Sequence, residues 1–201
     1  RQAAREVQLG RAGGHGHVVE RERRVVDDAA RRRPVRLQRA GAQDLAAADS
    51  YHAAVSAIEA NDEQAAAKVA ALEDGVFANL SALELAAAQV DAGEIDKAIV
   101  TLRAIKPGNP AVADVVNQRL ARLLIATDQA DAALASLADA STPSALEVRG
   151  DAQQALGRTE QAREDYAQAL AALDVAAPQR QLLELKLMEV GGTPTTPEAK
   201  S

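Results

Sequence analysis

Three segments of the chain share one spacing of small and turn-forming residues. Gly150, Gly157, Ala162, Tyr166 and Ala169 stand seven, five, four and three residues apart. Ala86, Gly93, Ala98, Leu102 and Ile105 repeat that spacing, and so do Ala121, Asp128, Ala133, Leu137 and Ala140. A looser fourth copy, Ala54, Asn61, Ala66 and Ala70, precedes them. A small residue in one helix and another opening the next remove the bulk between two axes, which can then approach at the short end of the roughly 8–10 Å packing range. Gly93 and Gly157 supply the left-handed residue that ends one helix and turns the chain back, and Asp128 must do the same less comfortably. Such a period predicts repeated antiparallel helix pairs, degenerate ones, since matching positions begin 35 and then 29 residues apart.

From Leu45 onward the sequence is rich in Ala, Leu, Glu and Gln and favours helix throughout. Breaks fall at Asn61 and Asp62, Asp74 and Gly75, Gly93, Lys106 to Pro110, Asp128, Ser141 to Pro143, Gly157, and Pro178. They delimit about nine helices, and no alternating stretch is long enough for a strand. The fold class is therefore all-α. With 48 alanines and only Tyr51, Phe77 and Tyr166 aromatic, the core is thin per residue. Burying a Leu or Val contributes roughly 1.5–3 kcal/mol and an Ala much less, so stability has to come from stacking many similar units.

The same composition narrows the chemistry. There is no cysteine, which excludes disulfides, thiolate metal sites and a cysteine nucleophile. Glu84, Asp91, Glu94 and Asp96 form an acidic cluster without a histidine or nucleophile beside it, a pattern of solvated helix ends, so neither catalysis nor a cofactor is expected. His15 and His17 lie in a glycine-rich segment without carboxylate support, and no metal site is expected there. No run of about 18 apolar residues exists to span a membrane.

The repeat spacing resembles the tetratricopeptide repeat, a helix–turn–helix unit. That resemblance implies a helical-hairpin solenoid whose packing positions are Ala86, Gly93, Ala98, Ala121, Ala133, Gly150, Gly157, Ala162, Tyr166 and Ala169. Tyr166 is expected to fill the gap between one unit and the next. The resemblance also implies a concave surface lined by the first helices, fitted to an extended peptide or a partner helix. Its lining residues would be Leu80, Leu83 and Val90, then Gln118, Arg122 and Ile125, then Glu147, Asp151 and Gln154, passing from apolar to acidic. No cluster of Lys and Asn marks a carboxylate clamp for a chain terminus.

The stretches "VNQRLARLLIATDQADAALASL", "LEVRGDAQQALGRTEQAREDYAQALAAL" and "APQRQLLELKLMEVGG" resemble one branch of this superfamily more closely. This is the family of ancillary SecYEG translocon subunits, the YfgM-like proteins of proteobacterial inner membranes. The resemblance covers Leu45 to Gly192 and ends in a capping helix from Pro178 to Val190. It implies a non-enzymatic scaffold with its repeat domain in the periplasm. The implied partners are the SecYEG translocon and a membrane-anchored peptidyl-prolyl isomerase chaperone, and the implied task is to help secreted chains emerge and fold.

Where such a protein carries its membrane anchor, residues 1–44 offer none. Residues 1–40 hold eleven arginines, no lysine and five acids, a net +6 against −12 for the rest of the chain. A charged segment of this kind cannot cross a bilayer, and its acids make it a poor transit peptide. Arginine without lysine suits shifted reading of GC-rich DNA. One base along, the codons of His15 and His17 must each yield Met or Thr, and those of Val18 and Val19 yield Leu, Ser, Trp or a stop. The expectation is an out-of-frame segment over a lost anchor, with in-frame sequence resuming before Ala46. The competing reading is a genuine basic arm on a soluble adaptor, contacting nucleic acid or anionic lipid through Arg11, Arg21, Arg23, Arg24 and Arg31 to Arg33. Lacking interleaved aromatics, it would bind nucleic acid without sequence preference. Residues 45–190 form the expected repeat domain, and residues 191–201, "GGTPTTPEAKS", a flexible tail.

Overall fold

In the computed structural model the described residues are 45–194. The expectations placed on residues 1–44, the frame shift, the basic arm and the two histidines, lie outside them, as does the tail from residue 195. The chain divides into two units, Arg1–Ala48 and Asp49–Ser201. Apart from the first turn of the helix at residues 45–59, all that follows concerns the second.

The described residues form nine helices and no strand. Helix α1 covers residues 45–59, followed by α2 (Ala65–Ala70), α3 (Val76–Asp91), α4 (Ile95–Ala104) and α5 (Pro110–Ala126). After these come α6 (Ala130–Ser136), α7 (Pro143–Ala155), α8 (Thr159–Ala172) and α9 (Arg180–Glu189). They pack as the pairs α3–α4, α5–α6 and α7–α8, each against the next, with α2 on α3 and α9 on α8. This is an all-α hairpin stack closed by a single last helix.

Each first helix ends by the same device. Asn61, Gly93, Asp128, Gly157 and Gly191 all adopt positive φ, at 50°, 76°, 59°, 71° and 76°. The amide of each donates to the carbonyl three residues back, and the next amide to the carbonyl five residues back. At Gly93 these are Val90 O at 2.9 Å and, from Glu94 N, Gln89 O at 2.7 Å. At Asp128 they are Ile125 O at 3.1 Å and, from Gln129 N, Leu124 O at 2.8 Å. Both orphaned carbonyls of the last turn are thereby satisfied in a Schellman geometry, and Asn61 brings the loosest sequence copy into the same series.

Two of the breaks are starts as well as stops. Asn109 Oδ1 accepts from Val112 N at 3.0 Å ahead of Pro110, and Thr142 Oγ1 accepts from Ala145 N at 3.3 Å ahead of Pro143. The polar cap and the proline that cannot donate together fix where α5 and α7 begin.

Seven residues before each left-handed residue stands Ala54, Ala86, Ala121 or Gly150, all buried. Opposite them lie Ala98, Ala133 and Ala162, each fully buried. In the fourth copy the second half differs from expectation: Ala65 and Val69 are buried, while Ala66 and Ala70 are exposed. A one-residue slip leaves small residues at both registers in so alanine-rich a stretch, and burial of the larger Val69 decides between them. In α9 the corresponding position is Glu184, paired with Arg180 at 3.0 Å. A glutamate there closes the face that would receive another second helix, so α9 caps the stack.

Candidate functional site

Counting back from each left-handed residue, the expected groove residues fall at positions three, six and ten. These are Leu83 and Val90 on α3, Gln118, Arg122 and Ile125 on α5, and Glu147, Asp151 and Gln154 on α7, with Leu80 a further turn back. Among them only Leu80 and Arg122 are exposed. Leu80 is 44% exposed, whereas Leu83, Val90 and Ile125 rest partly buried against the core. Gln118 Nε2 donates to Asp114 Oδ2 at 2.7 Å. Arg122 is exposed and, among the described residues, has no acidic partner within ion-pair distance.

The α7 residues differ most from expectation. Lys186 Nζ of α9 lies 2.7 Å from Glu147 Oε1, and 2.8 and 2.9 Å from the two oxygens of Asp151. The Tyr166 hydroxyl donates to Asp151 Oδ1 at 2.8 Å, with Gln154 Oε1 sharing the proton at 3.0 Å. The acidic end of the expected groove is thus engaged by the chain's own capping helix, not open. Burial alone would lower the Lys186 pKa, but hydrogen bonds and charge from Asp151 and Glu147 outweigh it and hold the pKa raised. Burial and then the hydrogen bond to Asp151 push the Tyr166 phenol far above its ordinary value.

Of the packing residues, Ala98, Ala121, Ala133, Ala162, Tyr166 and Ala169 are fully buried and Ala86 nearly so, while Gly93 and Gly157 sit at exposed turns. Gly150 is buried because Tyr166 lies on it: a Cβ there would meet Tyr166 Cε1 at 2.5 Å and Cδ1 at 2.6 Å. Tyr166 therefore fills space inside its own hairpin as well as beside Leu183 and Leu187 of α9. The axes close on a glycine and leave room for one ring.

Sequence reasoning missed three features. Arg149 and Asp165 pair across α7 and α8, Nε to Oδ1 at 2.9 Å, with Asp165 almost fully buried. Arg149 stands eight residues before Gly157, where α3, α5 and α9 carry Leu85, Leu120 and Leu183, so departure from that leucine register was the available signal. Tyr51 and Phe77 stack at 5.1 Å between ring centroids, and Tyr51 occupies the same position before Asn61 that Leu83 occupies before Gly93. Lys186 had no such signal, since its partners lie 39 and 35 residues away. Leu185 and Met188 of α9 are 54% and 49% exposed.

The cluster of Glu84, Asp91, Glu94 and Asp96 is exposed, and Glu94 pairs with Lys97 at 2.7 Å. Among the described residues no three His, Cys, Asp or Glu side chains converge to hold a metal ion, and no helix is long and apolar enough to cross a membrane. Of the expected groove residues, Leu80 and Arg122 are thus exposed, Leu83, Val90 and Ile125 are partly buried, and Glu147, Asp151 and Gln154 are engaged by α8 and α9.

A family model described as the tetratricopeptide repeat-like domain matches residues 37–192. No curated protein and no solved structure matches the chain.

Proposed function

We propose that this chain, which belongs to the tetratricopeptide repeat-like domain family, is an ancillary subunit of the SecYEG translocon whose first-helix face holds segments of other proteins. The observation that carries the scaffold reading is the hairpin stack itself with exposed apolar side chains on its first helices and on α9. Phe77 and Leu80 are exposed on α3, with Tyr51 half-buried against Phe77, and Leu185 and Met188 are exposed on α9. Large apolar side chains exposed in a group mark contact sites, and stacked hairpins set such groups side by side.

The translocon assignment rests on residue-level likeness in "LEVRGDAQQALGRTEQAREDYAQALAAL" and in the capping segment that follows it. In that role the face would receive secreted chains or the membrane-anchored peptidyl-prolyl isomerase chaperone at the periplasmic side of the inner membrane. The test is affinity purification of the tagged protein from detergent-solubilised bacterial membranes. Recovery of SecY and of that isomerase is the expected result. Their absence, with other proteins captured reproducibly, removes the translocon assignment and leaves the scaffold.

A further inference from the structure

We propose that the segment taken by the first-helix face is extended, largely apolar, and carries one acidic side chain that is read by Arg122, with Arg119 one turn away. The inference rests on the scaffold reading above and adds the chemistry of the occupant.

Charge on the face points this way. Beyond residue 40 the chain carries a net −12, yet the acids of the face are engaged. Glu147 and Asp151 hold Lys186, Asp114 accepts from Gln118 and from Thr142 Oγ1 at 2.9 Å, and Glu84 at the edge lies 3.5 Å from the Tyr51 hydroxyl. Arg119 and Arg122 are exposed and, among the described residues, have no acidic partner. An acidic domain thus presents unpaired cations on α5, Arg122 one turn from the partly buried Ile125. A basic or wholly apolar occupant would cover them and leave them unpaired, which is costly, whereas a carboxylate would form a charge-assisted bond in reduced dielectric. A second acid further along would meet the Glu147, Asp151 and Lys186 cluster, whose summed charge is negative, so one acid is favoured over several.

Phage selection of random 12-residue peptides on the whole protein tests this, followed by fluorescence anisotropy with the consensus peptide. Enrichment of peptides with one Asp or Glu between apolar residues is expected. Arg122→Glu should weaken the consensus peptide by about three- to tenfold, and replacing the peptide's acid with Lys should restore binding to that variant. Such a charge-swap rescue cannot come from misfolding. Enrichment of basic peptides, or of apolar ones indifferent to the acid, overturns this proposal and leaves the scaffold reading intact. No enrichment of any peptide overturns both.

Discussion

Replacing Gly150 with alanine should destabilise the protein, although alanine is the better helix former. The substitution gains about 1 kcal/mol in helix propensity. Against that, the new Cβ meets the Tyr166 ring at 2.5 and 2.6 Å, well inside contact distance. The ring cannot swing aside, because it is fully buried and its hydroxyl is held by Asp151 and Gln154. Overpacking of this kind costs roughly 1–3 kcal/mol, and losing the hydroxyl bond adds about 1 kcal/mol. The net expectation is a loss of about 1–3 kcal/mol, with the propensity gain included. In a Tyr166→Ala background the clash disappears, and Gly150→Ala should then stabilise by about 1 kcal/mol. Urea midpoints of the four proteins in this cycle give the coupling. If Gly150→Ala raises the midpoint equally in both backgrounds, the contact that explains the glycine is wrong.

Five further outcomes are expected. Asp128→Gly should raise the thermal midpoint by the equivalent of up to about 1 kcal/mol, since φ there is 59°, while Gly157→Ala at 71° should lower it by about 1–2 kcal/mol. Ser81→Ala should stabilise by about 1 kcal/mol in urea, because the Ser81 hydroxyl is fully buried and, among the described residues, has no hydrogen-bond partner. Asp165→Ala should cost about 2–3 kcal/mol by leaving the Arg149 guanidinium unpaired in a mostly buried setting. Stability should also fall as pH rises above about 10, because the Lys186 and Tyr166 pKa values are both raised on folding, so the unfolded chain releases protons first. Urea midpoints from pH 8 to 11 should show the fall, and it should shrink in Tyr166→Phe and in Lys186→Met.

The parts legible in the sequence are those where the backbone itself constrains the residue. A left-handed turn requires Gly, Asn or Asp, so Asn61, Gly93, Asp128 and Gly157 announced the helix ends. A close approach of axes requires a small side chain, so Ala86, Ala121 and Gly150 announced the pairs. Alanine is too common here for that signal to fix register alone, which is how Ala65 and Val69 took the places read for Ala66 and Ala70. The face was harder to read. Helical position gives the direction of a side chain but not what stands opposite, and Glu147 and Asp151 look like groove acids until Lys186 arrives from α9. Tyr51 and Phe77 were legible in principle, since Tyr51 shares the register of Leu83, Gln118 and Glu147, but they fall in the weakest repeat.

Site-specific photo-crosslinking in living cells puts the central claim to the most direct test, with a photoreactive phenylalanine analogue at Leu80 of α3, at Leu185 of α9, or at Val115 of α5, which is 41% exposed and stands thirteen residues before Asp128 as Leu80 does before Gly93. Val100 of α4, 66% exposed on a second helix, serves as the control. The account predicts protein adducts from these three positions and few from Val100. Adducts concentrated at Val100, with none from the other three, would contradict it.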